Sequence, residues 1–223
     1  MTHNLQNEFP NINSLWENAL QASIIHAIMI AQYPDLSHEQ SWEGSNYSVQ
    51  DSAGSRGTIC FDTKNPRRFV AVFSNTKSSR RIEDLFRSFP QDLNDLRKEA
   101  LEYCLEEYQE IIQPSITTAF WSNEGKICAA EAWQNVLKNG ANLIERQLLE
   151  PEPAFNAWKE YYNMNAESLE LARMLFKLKL SFPHDRIAID YDWIRFLTKE
   201  EGFDGTSEAF KEIGMFCQKN ENQ

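Results

Sequence analysis

The run Phe69-Val70-Ala71-Val72-Phe73 is apolar at every position and follows a turn signal at Asn65-Pro66. A strand without polar alternation needs cover on both of its faces. Upstream, residues 47–50 alternate apolar and polar side chains, and residues 58–61 form another short strand pattern, with turn-forming residues between them. We therefore predict a small antiparallel meander within residues 42–74, whose last strand is covered on both sides.

Helical patterns predominate outside this meander. Ser14 can cap a helix from Leu15 to about Tyr33, and its apolar residues occupy more than one face, which predicts a buried helix. From Ala129 onward the patterns predict helices only, the last two over residues 191–201 and 207–217. The expected fold class is α+β, with a helical C-terminal half. We expect a single domain over residues 1–223, with a sheet-containing lobe at about 1–128 and a helical lobe at about 129–223.

The clearest periodic pattern predicts a helix from Gln91 to about Ile112, after a shorter helix over residues 82–89. One stripe of the long helix is apolar and is expected to face the core; it includes Leu101, Leu105, Ile111 and Ile112. The opposite stripe is a row of carboxylates, namely Asp92, Asp95, Glu99, Glu102, Glu106 and Glu110. Two interpretations stay open for this acidic row: a solvated helix face, or a docking surface that attracts a basic protein.

Charge is unevenly distributed along the sequence. The net charge of −11 disfavours nucleic acid and anionic membranes as partners, because phosphate groups are bound by Lys and Arg. Residues 56–87 nevertheless carry eight basic residues against three acidic ones. The basic residues of this segment can simply pair with acidic residues of the remaining chain on the folded surface. Alternatively, Arg56, Arg67 and Arg68 bind a small anionic ligand, since guanidinium groups pair with phosphate or carboxylate through two hydrogen bonds.

No pattern of a catalytic centre is present. The glycine-containing turn 51–57 leads into a strand and lacks the Gly-Lys-Ser/Thr of a phosphate loop, so it predicts a hairpin turn. The pair His184-Asp185 resembles the metal-binding dipeptide of HD-type phosphohydrolases, but the remaining histidines, at positions 3, 26 and 38, all lie near the N-terminus. His26 lies on an apolar helix face and is predicted to be a core residue. We therefore predict no catalytic residue, no metal and no cofactor.

The sequence also indicates a compartment. Its four cysteines, at positions 60, 104, 128 and 217, have no paired short spacing, which favours reduced thiols over disulfides or a zinc site. Neither a secretory signal nor an apolar run long enough to span a membrane is present. We expect a cytoplasmic protein, of an oligomeric state that the sequence leaves open.

Together, the acidic row 92–110 and the meander 42–74 resemble, at the level of a class, the immunity proteins of bacterial toxin systems. The resemblance implies a cytosolic inhibitor that binds a cognate toxin and presents carboxylates and aromatic side chains to it. A basic protein is accordingly the expected partner. The alternatives are an enzyme or binding protein for an anionic ligand, using the arginines of segment 56–87, and a regulatory or scaffold protein.

Overall fold

The computed structural model describes residues 14–75, 79–108, 110–190, 192–194 and 203–218. Its helices and antiparallel sheet confirm the α+β fold class. The chain divides into two compact units, the first made of Met1–Trp16 and Glu43–Leu148 and the second of Glu17–Trp42 and Leu149–Gln223. The single-domain organisation stays a prediction, because compact units of this kind occur within one domain as well as in separate ones.

The strands form three sheets. They are β1 (Gln40–Glu43), β2 (Asn46–Gln50), β3 (Arg56–Phe61), β4 (Phe69–Ser74), β5 (Leu105–Tyr108), β6 (Ile111–Pro114), β7 (Thr118–Asn123), β8 (Lys126–Cys128), β9 (Ile187–Asp190) and β10 (Met215–Gln218). A six-stranded sheet has the order β1-β2-β3-β4-β7-β8, while β5 pairs with β6 and β9 pairs with β10.

The helices are spread over the whole chain. They are α1 (Leu15–Met29), α2 (Ile82–Leu85), α3 (Asn94–Glu102), α4 (Trp133–Lys138), α5 (Pro151–Tyr162), α6 (Ala166–Ser181) and α7 (Phe203–Glu212). Short 3₁₀ helices cover Pro34–Glu39, Gln91–Leu93 and Ala141–Ile144.

The predicted meander is confirmed as β2, β3 and β4. All neighbouring pairs are antiparallel, with Tyr47 opposite Ile59 and Ile59 opposite Ala71. Every residue of β4 is buried. On one face, Val70 and Val72 pack in a cluster with residues of α2 and α3. On the other face, Phe120 of β7 stacks on Phe73 and meets Trp133 of α4 edge to face.

Gly57 is the one position of β3 where a side chain cannot be accommodated. It lies opposite Phe73 on β4, and a Cβ atom added to it would lie 2.1 Å from Cδ1 of the Phe73 ring. The ring therefore occupies the space that a side chain at position 57 would take. The sequence pattern had suggested that this glycine serves a turn, but the reason for it is the close approach of an aromatic ring.

The predicted helix 91–112 is wrong beyond residue 102. Helix α3 ends at Glu102, the N–H of Cys104 bonds back to the carbonyl of Leu101, and the following residues form the β5–β6 hairpin. Glutamates at i, i+4 spacing repel along a helix, and Tyr108 with Ile111 and Ile112 favours strand. The shorter predicted helix over 82–89 is reduced to Ile82–Leu85.

In the second unit, α1 is buried on nearly all sides, as its sequence predicts. Residues on opposite sides of the helix, such as Ala22 and Ile24, are both fully buried. Two buried amides in α1 bond to carbonyl groups at the start of α5: Asn18 Nδ2 donates to Leu149 O at 2.6 Å, and Gln21 Nε2 donates to Pro151 O at 3.1 Å. These bonds hold the start of α5 against α1, and they replace the water that burial removes from the two carbonyl groups.

The prediction of helices alone after residue 129 misses two strands. β9 and β10 pair in parallel, with Met215 opposite Ile187, so that the helix predicted over 207–217 is α7 followed by a strand. Ile187 and Ile189 are buried and Ala188 is exposed, an alternation typical of a strand. The helix predicted over 191–201 lies outside the described residues except for 192–194, which are helical.

His26 is the core histidine that the sequence predicts. Its Nε2–H donates to the carbonyl oxygen of Ser37 at 3.4 Å, and because a carbonyl only accepts, Nδ1 is left to accept the Tyr162 hydroxyl at 2.8 Å. Burial of the imidazole lowers the pKa of His26 to about 4, and the Ser37 hydrogen bond offsets part of that effect.

We expect the change Gly57→Ala to destabilise the first unit. The new methyl group would clash with the Phe73 ring, and overpacking of this kind costs about 1–3 kcal/mol. Unfolding in urea measures the loss, and Phe73→Leu in the same background should recover part of it. Gly54→Ala is the comparison variant, because open space surrounds Gly54 and an alanine there meets only the backbone strain of a φ of +89°, without any steric overlap. Equal stability of Gly57→Ala and the parent protein would contradict the packing argument.

We expect stability to fall as the pH drops from 7 toward 4, in part through His26. Its pKa is about 4 in the folded protein against an ordinary 6.5, so the unfolded chain takes up the proton first, and the group costs on the order of 3 kcal/mol of folding free energy at the end of that range. Urea unfolding at pH 7 and pH 5 should show a weaker pH dependence for His26→Gln. The exposed His184→Gln is the control, and an unchanged pH dependence in His26→Gln contradicts the assignment.

Candidate functional site

The structure divides the predicted acidic row between three elements and one turn. Asp92 lies in the 3₁₀ helix Gln91–Leu93, Asp95, Glu99 and Glu102 lie on α3, Glu106 lies on β5, and Glu110 lies between β5 and β6 with a positive φ of 64°. These side chains therefore do not form one helix face.

Most of the carboxylates on the helical part already interact within the first unit. Asp92 forms an ion pair with Arg68 at 2.9 Å, and Asp95 lies 3.6 Å from the ammonium group of Lys98. Glu99 accepts a hydrogen bond from Asn46 Nδ2 at 2.7 Å. Glu102 is exposed at the end of α3. On the helical part of the row, Asp92 and Asp95 therefore lie beside cations, Glu99 is held by a neutral amide, and Glu102 is exposed.

Glu99 belongs to a polar network between α3 and β2. Asn46 Nδ2 also donates to the Tyr103 hydroxyl at 3.0 Å, and that hydroxyl donates to Glu43 at 2.8 Å. Partial burial and the bond to Glu43 raise the pKa of Tyr103. Burial, with the charge of Glu99 nearby, raises the pKa of the Cys60 thiol. Both groups stay protonated at neutral pH, so this network holds α3 on the sheet without supplying a nucleophile.

Cys104 is the other buried thiol of this region. It was predicted inside a helix, but it lies in the turn between α3 and β5. Burial raises the pKa of Cys104 to about 11, although Arg56 lowers it somewhat. Among the described residues, no three His, Cys, Asp or Glu side chains are arranged to hold a metal ion.

The three arginines of the alternative ligand site do not converge. Arg56 begins β3 opposite Ser74, whereas Arg68 precedes Phe69, which lies opposite Phe61 at the far end of β3. Five residues of strand separate the two ends by roughly 17 Å. Arg68 is paired with Asp62 and Asp92, and Arg67 is exposed in the loop before it. The three guanidinium groups therefore do not form a common binding site for one small anion.

Among the described residues of the first unit, the large apolar side chains that are exposed lie on the β5–β6 hairpin. Its strands pair Glu107 with Ile112 and Tyr108 with Ile111. The exposed fractions are 43% for Leu105, 62% for Ile111 and 67% for Ile112. Residues 105–114 include the glutamates 106, 107 and 110 and contain no basic residue. We define the acidic hairpin as the side chains of Leu105, Glu106, Glu107, Glu110, Ile111 and Ile112.

The sequence predicts only part of this surface. Glu106 and Glu110 belong to the predicted acidic row, whereas Leu105, Ile111 and Ile112 are predicted in the core and Glu107 is not among the predicted binding residues. Their exposure contradicts the core assignment. A signal was present in the sequence, since the β-formers Tyr108, Ile111 and Ile112 precede Pro114, which favours strand ends.

Arg56 ties the acidic hairpin to the main sheet. Its Nη2 donates to Glu106 Oε1 at 2.9 Å and lies 3.5 Å from the carbonyl oxygen of Leu105. The hairpin is also closed at its base, where the N–H of Ser115 donates to Cys104 O at 2.8 Å. Arg56, selected as a ligand-binding residue, therefore positions the hairpin by pairing with one of the predicted partner-binding carboxylates.

No family model matches the chain, and comparisons with curated proteins and with solved structures give no match either. Over the described part of the chain, no helix combines the length and apolar character that a bilayer span requires.

We expect Arg56→Ala to loosen the acidic hairpin without unfolding the protein. The Arg56–Glu106 pair is partly exposed, with 34% and 48% of the side chains accessible, so its loss should cost at most about 1 kcal/mol. Hydrogen exchange in a peptide covering residues 105–114 should accelerate roughly two- to fivefold. Arg67→Ala removes an exposed arginine far from the hairpin and is the matched control. Equal exchange in the two variants would show that Arg56 does not position the hairpin.

Proposed function

We propose that the protein is a cytoplasmic protein-binding inhibitor of the toxin-immunity type, which neutralises a basic protein by docking through the acidic hairpin. The observation that carries the proposal is the composition of this element: exposed isoleucines and three glutamates with no compensating basic residue in residues 105–114. Exposed apolar side chains rimmed by charge are typical of protein interaction sites.

The electrostatic part of the proposal rests on Glu107 and Glu110. Glu106 is already paired with Arg56, whereas no ion pair of Glu107 or Glu110 is present within the described residues. A basic partner is attracted to such carboxylates over several ångströms before contact, and the net charge of −11 adds to that attraction. The isoleucines then supply the contact area that charge alone does not provide.

The anionic-ligand alternative receives less support. Its three arginines lie at opposite ends of the β3–β4 hairpin, and Arg56 and Arg68 are engaged by carboxylates of the same unit. A regulatory or scaffold role would use the same surface for a partner that is not a toxin. Protection of cells separates that role from immunity, because only an immunity protein protects cells from a toxin.

The product of the neighbouring gene is the first partner to test. We expect it to be toxic when expressed alone, to be harmless in cells that also express this protein, and to copurify with it. Binding should weaken as salt is raised, because salt screens the attraction between exposed charges. A neighbour that is not toxic, or that kills regardless of this protein, contradicts the immunity role. Copurification without toxicity favours the regulatory alternative.

Charge reversal at Glu110 tests the surface itself. Glu110→Lys should weaken binding roughly tenfold and reduce its salt dependence, since a rim carboxylate acts mainly on association. Glu124→Lys is the matched control: Glu124 is also exposed, also has a positive φ (49°), and also lies in a hairpin turn, between β7 and β8. Both variants change the net charge equally. Identical titration curves for the two variants would remove the acidic hairpin from the interface.

A further inference from the structure

The strand register determines which side chains share a face of the acidic hairpin, and the backbone hydrogen bonds determine which peptide groups point outward from its edges. The N–H of Ser115 donates to Cys104 O at 2.8 Å, so these opposite residues form a hydrogen-bonded pair. Since side chains alternate along each strand, Glu107 and Ile112 share one face of the hairpin. Ile111 and Glu106 lie on the other face.

Each face of the hairpin carries an exposed isoleucine. Ile111 is 62% exposed on one face and Ile112 is 67% exposed on the other. A two-stranded ribbon with no covered face is marginal in water, because it buries too little apolar surface. The six-stranded sheet differs from it, since helices pack against both of its faces.

The edges of the hairpin are poor templates for an added strand. On β5, the carbonyl of Leu105 points outward and lies within 3.5 Å of Arg56 Nη2. On β6, Pro114 is the corresponding outward position and has no N–H to donate. A partner strand could therefore not pair along the full length of either edge. A partner can instead contact the side chains on the two faces of the hairpin.

We infer that the hairpin is inserted into a cleft of its partner, whose two walls contact Ile111 and Ile112 separately and whose surface is basic where it meets Glu107 and Glu110. This inference rests on the proposed function for the identity of the partner as a basic protein. Packed sheets lie about 10 Å apart, so walls on both sides of one ribbon would be separated by roughly 20 Å between their backbones. A flat basic surface could contact only one of the two isoleucines.

The test measures the affinity of the purified neighbouring gene product for full-length variants. Ile111→Ser and Ile112→Ser should each weaken binding roughly tenfold or more, since each removes a side chain that becomes buried. Met174→Ser is the matched control, because Met174 is an exposed apolar residue, 39% accessible, in the second unit. Circular dichroism confirms that the variants are folded, as expected for exposed positions.

Photo-crosslinking gives an independent readout. A benzophenone amino acid placed at position 111 or at position 112 should crosslink to two different segments of the partner. If only one of the two positions affects affinity and forms a crosslink, the partner surface is flat. The inference of a cleft is then wrong, while the proposed function stands. If the partner binds but neither isoleucine matters, the hairpin is not inserted. Absence of any binding by the neighbouring product overturns the proposed function and this inference together.

Discussion

Burial of β4 on both faces is the constraint on which the first unit depends. Because side chains alternate along a strand, Val70 and Val72 need cover from one side while Phe69 and Phe73 need it from the other. Helices α2 and α3 supply the first cover, and α4 supplies part of the second. The central strand thus determines both helical layers, and it also requires the absence of a side chain at Gly57.

The acidic hairpin is exposed because the end of α3 is fixed on the main sheet directly before it. Glu99, Asn46 and Tyr103 join the end of α3 to β2, and the buried Cys104 follows directly. The chain then leaves the core, and Arg56 holds the first residues of β5. Four of the six acidic residues that the sequence presented as one surface, namely Asp92, Asp95, Glu99 and Glu106, therefore make internal contacts.

For the candidate site, prediction from the sequence was limited by the ambiguity of residues 103–114. Their apolar spacing fits a helix, yet Tyr108 and the two isoleucines favour strand, and the glutamate spacing weakens a helix. Local patterns do not predict the structure of a segment whose sequence fits both the helical and the strand period. Whether such a segment forms a helix or a strand depends on what it packs against. The same limit applied to β9 and β10, since a parallel pair joins residues distant in sequence.

The sequence by itself determined the meander, the buried character of α1, and His26 as a core residue, because each depends on side-chain spacing and apolar content within a short window. Only the tertiary structure decided which charges stay available. Arg56 meets Glu106 across 50 positions and Arg68 meets Asp92 across 24, and such pairings depend on strand register and not on local sequence. Exposure of Ile111 and Ile112 was decided in the same way, since a side chain is buried only when another part of the fold covers it.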